Sequence, residues 1–482
     1  MDERAHPQGQ PTTPGPSFSS DAFRRAGHAI VDRLADHLEH ARRRAMPVLP
    51  VLDHAAESAR WRLGAAPRGV DALPEVASKV LERSNHLHHP GFVGHQVSAP
   101  HPLAAFGELV AGLLNNGMAV YEMGPAATAI EREVVAWFAR ELALPDTAGG
   151  ILTSGGSMGN LTALLAMREL RAGDSAWERG TRAKPQLSVL VSEQAHYSID
   201  RAARVLGWGK QGALGVPVDG QHRMRVDALE ERLARARGDG HHVLGVVASA
   251  CTTATGAFDP LERIADFCAR EGLWMHVDGA HGAPAALSPK YRALVAGIER
   301  ADSVVADAHK MLLVPALSTA VLFRRERDSW ATFAQEASYL FGGSTWDHAQ
   351  RTLECTKRML GLPLYLLLEC VGRDELVRHV ERCFDLARQF ATRLRDAPDF
   401  ELAVEPQANI VCFRHSPAGV LDLDALQARV RGRVLAQGEF YLVQTRLSGA
   451  LWLRTTLINP FTTEDDLERL MQAIRLAGRA SA

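Results

Sequence analysis

No stretch of this sequence reaches the roughly 18 consecutive apolar residues that a membrane-spanning helix needs. The apolar run Leu360–Leu368 is too short and predicts a buried helix instead. The N-terminus has no basic segment followed by an apolar run, so no secretory signal is expected. Neither charge sign is in excess: 54 Lys and Arg against 56 Asp and Glu leave a formal charge of −2. That balance excludes a global attraction for nucleic acid or an anionic membrane surface, so any anion site must be local. Cysteine is sparse. Cys251, Cys268, Cys355, Cys370, Cys383 and Cys412 form no CxxC pair and no dense framework, which predicts reduced thiols and a cytoplasmic protein. There is no internal repeat. There is also no GxGxxG after the first strand and no P-loop, which argues against a dinucleotide or nucleoside triphosphate fold.

What is present is an ordinary globular composition, 46% apolar and 23% charged over 482 residues, enough for two or three domains. Residues 1–20 are rich in Pro, Gln, Gly and Ser and predict a disordered tail. Helical spacing of Phe23, Ile30, Leu34 and Leu38 predicts an amphipathic helix over Asp21–Arg43, opening an N-terminal segment at 21–88. Residues 89–372 alternate. Strand-like runs at Ser188–Ser192, Val243–Ala248, Leu273–Val277, Ser303–Val305 and Thr319–Phe323 are separated by helical patterns such as Leu161–Ala172, Ile199–Leu206, Val226–Ala236 and Leu261–Arg270. Such alternation predicts an α/β fold with a mostly parallel sheet, whose ligands gather at the carboxyl ends of the strands. Residues 373–482 change order and predict a small α+β C-terminal domain: a long helix over Asp374–Arg395, strands at Phe400–Val404, Asn409–Arg414 and Leu451–Leu457, and a final helix over Glu464–Leu476.

Four short segments carry the chemistry. Ala306-Asp307-Ala308-His309-Lys310 follows a strand. A lysine there is either a surface residue or a desolvated amine, nucleophilic toward carbonyls. In Trp274-Met275-His276-Val277-Asp278-Gly279-Ala280-His281 a carboxylate ends a buried strand. It suits a pyridinium N–H, a metal site with His276 and His281, or a helix cap. Thr153-Ser154-Gly155-Gly156-Ser157-Met158-Gly159-Asn160 opens a helix. It reads as a phosphate cradle or as a glycine-rich turn. His196, in Glu193-Gln194-Ala195-His196-Tyr197-Ser198, is a stacking imidazole or a satisfied polar residue. Together they supply what pyridoxal 5′-phosphate (PLP) requires.

From about Phe18 to Ala477 the chain resembles the group II PLP-dependent amino-acid decarboxylases, which include glutamate, cysteine-sulfinate and aromatic amino-acid decarboxylases. The resemblance rests on His309-Lys310, on His276–Ala280, on His196, and on Leu114–Pro125, which is similar to the glutamate and cysteine-sulfinate branch. It implies the type I (aspartate aminotransferase-like) PLP fold and loss of the α-carboxylate of an amino acid. It implies a Schiff base at Lys310, Asp278 on the pyridine nitrogen and His196 on the ring. Gly156, Ser157 and Met158 would hold the phosphate, with His309, Thr252 and Ala280 also at the cofactor. Arg454 matches an arginine that binds a substrate carboxylate, a task suited to its bidentate fork. The family's active sites form at a dimer interface, so a homodimer is expected.

The chain departs from the family at two places. Where the family usually has Asn-Pro-His-Lys, this sequence has Asp307-Ala308-His309-Lys310, and Asp307 reads as a structural or hydrogen-bond-accepting residue. Ala337-Ser338-Tyr339-Leu340-Phe341 is similar to the segment before a mobile loop whose tyrosine protonates the product, but the loop is shortened and that tyrosine is missing. An amine is the expected product; a carbonyl product, by decarboxylation-coupled oxidation, is the alternative. His95 and Gln96, in the stretch that resembles the substrate-facing segment, favour a polar or acidic side chain. The nearby histidines (His86, His88, His89, His95, His101) have irregular spacing, and no metal is expected.

Overall fold

The computed structural model describes residues 19–64, 66–173, 176–181, 185–333 and 346–479. Most of the predicted tail and the 337–345 stretch therefore lie outside the described residues. The alternating middle of the chain builds a seven-stranded sheet: β1 (Gly149–Thr153), β2 (Gln186–Ser192), β3 (Ala213–Val216), β4 (His241–Ser249), β5 (Trp274–Asp278), β6 (Ser303–Asp307) and β7 (Thr319–Phe323). Their spatial order is β1-β7-β6-β5-β4-β2-β3. Neighbours from β3 to β6 pair in parallel, whereas β7 runs antiparallel to both β6 and β1. Since β7 alone is reversed, the carboxyl ends of β1, β2, β4, β5 and β6 all emerge on one edge of the sheet.

Burial on both faces explains why the central strands read as near-continuous apolar runs. Every residue of β5, β6 and β7 is buried. Two strands of this sheet lie outside the sequence expectation. β1 begins Gly149-Gly150, and glycine lowers strand propensity, yet a Cβ at Gly150 would overlap the Val321 carbonyl oxygen. β3 is a short, half-buried edge strand with little apolar signal.

The C-terminal part forms a four-stranded antiparallel sheet in the order β10-β11-β9-β8, from β8 (Phe400–Leu402), β9 (Ile410–His415), β10 (Val443–Leu447) and β11 (Ala450–Thr456). Helices Arg373–Asp396 and Glu464–Arg479 pack on it through Phe390, Phe413, Leu453 and Ile474. The stretch from Gly91 to His101 links this sheet to the larger one. Val93 N donates to Tyr441 O (3.0 Å) and Thr456 N to Val93 O (2.7 Å). Farther on, His101 N donates to Leu313 O (2.8 Å), just past Lys310.

The N-terminal helix runs Ser20–Arg42, its first turn capped by Ser19 Oγ accepting from Ala22 N at 3.0 Å. All six cysteines are unpaired, four of them buried. No helix among the described residues is long and apolar enough to cross a membrane.

Candidate active site

The strand ends converge on a cavity of about 290 Å³. β1 delivers Gly156 and Ser157, β2 delivers His196, β4 delivers Cys251 and Thr252, β5 delivers Asp278 and Ala280, and β6 delivers Asp307, His309 and Lys310. Segments far apart in sequence thus meet because the sheet order folds them together. A larger surface cleft of about 510 Å³, between Arg382 and Thr463, is distant in sequence from all of these groups.

Helix Gly156–Arg171 points its N-terminus into the cavity. Gly155 adopts φ of +121°, a conformation that side chains with a Cβ disfavour. The Met158 and Gly159 N–H groups both donate to the Gly155 carbonyl at 3.0 Å. Gly156 and Ser157, one step earlier, are the helix's leading donors and face the cavity, a disposition suited to phosphate. Met158 lies in that first turn with its N–H engaged, and does not line the cavity.

Asp278 is 9% exposed. Its Oδ2 accepts from Asn160 Nδ2 (2.9 Å) and its Oδ1 from Ala280 N (3.2 Å). No cation lies within ion-pair distance of it among the described residues. A buried carboxylate held only by neutral donors suits a cationic N–H partner. Asn160, to which the sequence assigns no role of its own, organises this wall. Its Nδ2 also donates to Ser198 Oγ (2.9 Å), and its Oδ1 accepts from His276 Nε2 (3.0 Å). Ser198 Oγ passes its own hydrogen to His196 Nδ1 (2.8 Å). The chain of donors leaves the His196 proton on Nε2. Burial lowers His196, against the opposing pull of Asp278, so the ring is neutral. His276 is lowered to about 4 by burial and accepts from Ser303 Oγ at Nδ1 (2.9 Å). With both ring nitrogens engaged it is a strut for Asn160, and among the described residues no three metal-ligating side chains cluster.

The remaining predicted residues divide into two sets. Thr252 is buried, its Oγ1 3.0 Å from Thr255 Oγ1, and it lines the cavity with Ala280 and His309. Arg454, Gln96 and His95 do not line it. Arg454, on β11, is electrostatically close to Cys251 and lies within reach of His95. His95 packs against Tyr441, ring centroids 5.6 Å apart. Most of the other clustered histidines serve the backbone: His88 Nε2 donates to Pro100 O (2.9 Å), His89 Nδ1 accepts from Gly91 N (2.9 Å), and His101 Nδ1 accepts from Leu103 N (3.2 Å).

Comparison with known proteins identifies the family. Residues 70–416 match the pyridoxal-dependent decarboxylase conserved domain. The chain belongs to that family. L-2,4-diaminobutyrate decarboxylase of Rhizobium meliloti (strain 1021) is 33% identical, over 84% of this chain and 81% of that protein. Cysteine sulfinic acid decarboxylase of Mus musculus is 31% identical, over 85% of this chain and 86% of that protein. The crystal structure of mouse CSAD in its apo form superposes with a TM-score of 0.89 at 27% identity, covering 95% of this chain and 99% of that one. The protein is a PLP-dependent amino-acid decarboxylase of α/β fold. The cavity fits the cofactor: helix donors for its phosphate, a buried carboxylate without a counter-ion for its ring nitrogen, and an amine for its aldehyde.

Proposed function

We propose that the enzyme decarboxylates an L-amino acid with an acidic side chain. Arg454 carries the reading. It is 7% exposed, its Nε has no hydrogen-bond partner, and no carboxylate pairs with it among the described residues. Its one side-chain contact of note is Thr456 Oγ1, at 3.4 Å. A buried guanidinium without a counter-ion is costly until an anion arrives. Arg431 is a second guanidinium acting on the same His95–Tyr441 patch. It too lacks a carboxylate partner among the described residues, and its Nε donates to Leu442 O (3.1 Å). Two cations suit a substrate with two anionic groups. Burial, then Arg454 and Arg431, lower His95, which therefore offers this substrate a neutral ring and, with Gln96, polar contacts for the tail.

Bound pyridoxal 5′-phosphate supplies the electron sink that lets the α-carboxylate leave as CO2. The protein's part is positional. Gly156 and Ser157 would hold the phosphate, and His309 and Thr252 line the same cavity. Asp278, held by Asn160 and Ala280, would face the ring nitrogen. His196 would take the face of the ring, and Lys310 would supply the amine for the aldehyde.

Kinetics over a substrate panel test this reading. L-aspartate or L-cysteine sulfinate is expected to exceed L-2,4-diaminobutyrate and aromatic amino acids in kcat/KM. Arg431→Met is expected to raise KM for the acidic substrate about 10-fold or more, as befits one charge-assisted hydrogen bond. A preference for the cationic tail, or an unchanged KM, overturns it. Product analysis addresses the absence of a tyrosine between Phe341 and Thr352: an amine with CO2 supports simple decarboxylation, and a carbonyl with ammonia supports the oxidative alternative.

We further propose that the protein works as a homodimer. On helix Pro102–Leu114 the side chains of Leu103, Phe106, Leu109, Val110 and Leu113 are exposed together, and Leu113 is 68% exposed. Tyr121 and Met123 extend this apolar area. An apolar surface of this kind needs a cover, and a second copy supplies one. Sedimentation should give twice the chain mass, and Leu109→Glu with Leu113→Glu should give monomers; a wild-type monomer at micromolar concentration refutes it.

A further inference from the structure

At the end of β6 two acidic–basic neighbours face each other inside the cavity. Asp307 is 1% exposed, and its Oδ2 stands 3.1 Å from Lys310 Nζ. Its other oxygen is fixed: Thr319 Oγ1, across the β6–β7 pair, donates to Oδ1 at 2.5 Å. The carboxylate therefore cannot rotate away without losing a buried hydrogen bond. Resting on the decarboxylase reading above, we propose that Asp307 is a positioning residue that holds the Lys310 amine as an ammonium, and that this ammonium returns the proton to the substrate's Cα.

The groups around Lys310 support it. Asp307 and His309 come from β6 and the turn after it, Asp278 from β5, His281 from the following turn, Cys251 from the end of β4 and His196 from the end of β2. Burial lowers the Lys310 pKa, but Asp307 and then Asp278 outweigh it, and the net direction is upward. The alternative donors are poor. Burial lowers His281 to about 3 and lowers His196, so both rings are neutral. Burial pushes the Cys251 thiol up to about 12. Against His196, His281 and Cys251, the better placed proton is the one that Asp307 holds on Lys310.

The step balances. The bond between Cα and the carboxylate breaks, CO2 leaves, and the electron pair stays with the substrate. One proton moves from Lys310 Nζ to Cα. Lys310 is left as a neutral amine, and solvent replaces the proton in the next cycle. A neutral side chain at position 307 would leave the amine with Asp278 as its one remaining carboxylate, and the proton would be lost at lower pH.

The experiment begins with the PLP-free protein. Trace acetic anhydride labelling from pH 6 to 11, followed by mass spectrometry, reads the titration of Lys310 against exposed Lys210. Asp307→Asn is expected to lower the Lys310 midpoint by at least one pH unit, raising its labelling at pH 8 about 10-fold. In the PLP-loaded enzyme the alkaline limb of kcat should fall with it, with little change in KM. Thr319→Val, which withdraws a single hydroxyl, should produce a smaller shift in the same direction and serves if Asp307→Asn does not fold. An unchanged Lys310 midpoint in the folded variants overturns the positioning role. A lowered midpoint with an unmoved kcat limb overturns the proton-return role. Failure of the decarboxylase reading is recognised separately, as absence of CO2 release by the wild-type enzyme.

Discussion

Lys310→Ala is expected to be colourless with PLP and inactive, with decarboxylation reduced by on the order of 10³-fold or more. The reason is local. Lys310 is the amine at the edge of a cavity whose other walls include carboxylates, imidazoles, a thiol and hydroxyls. No other lysine among the described residues lines it. Borohydride treatment of the wild-type protein with PLP should place the reduced cofactor on the peptide carrying Lys310, and on no other. The fold should survive the substitution, because Lys310 lies in a turn after β6 and is not packed in the apolar core. A melting temperature within a few degrees of wild type, with absorbance in the near-ultraviolet to visible range lost, would complete the result. A variant that keeps both colour and turnover refutes the assignment of Lys310.

Asp278→Asn is expected to lower kcat by on the order of 10²- to 10³-fold, the scale of removing one preorganised electrostatic partner. The change is isosteric. The amide that replaces the carboxylate can still present an oxygen to Asn160 Nδ2, which keeps the network from His196 through Ser198 to His276, while the bond that Ala280 N donates to Oδ1 is lost. What is lost is the negative charge, and no neighbouring acid among the described residues points at the same place: Asp307 is engaged with Lys310 and Thr319. Binding should weaken less than turnover, because Gly156 and Ser157 retain the phosphate donors. Measuring PLP affinity by fluorescence beside kcat separates the two. A loss of affinity that accounts for the whole loss of activity would refute an electronic role for Asp278.

Lys310, Asp278, His196 and the Gly156–Ser157 turn each keep a bland reading in the sequence, and it is their combination, in one chain order, that points to a cofactor. Helix Arg373–Asp396 and strand Thr319–Phe323 are legible because their apolar spacing is strong. β1, β3 and β10 are not. β1 carries two glycines, β3 is a half-buried edge, and β10 has alternating exposed residues and a neighbour, β11, that supplies its pairing. Asn160 sits in plain view within the glycine-rich motif, yet one asparagine in a first helical turn has the same appearance whether it caps, packs or organises a site. His276 stands between a metal ligand and a structural role in the sequence, and only its partners, Asn160 and Ser303, decide between them.

The sequence by itself determined the set of chemical groups: an amine, a carboxylate, an imidazole and a helix start, in an order along the chain that resembles one family. It also shows Asp307 two residues before His309 and no tyrosine between Phe341 and Thr352, the two places where the resemblance implies a departure. Only the tertiary structure decided which groups meet. Strand order β1-β7-β6-β5-β4-β2-β3 brings residues 156, 196, 278 and 310 to one edge. No local pattern encodes that order, because it depends on how helices cover both faces of the sheet. Protonation was decided in the same way. Lys310 is drawn toward its charged form by Asp307 and Asp278, while His196 and His281 are driven neutral, because burial and a neighbour's charge belong to three-dimensional distance and not to position along the chain.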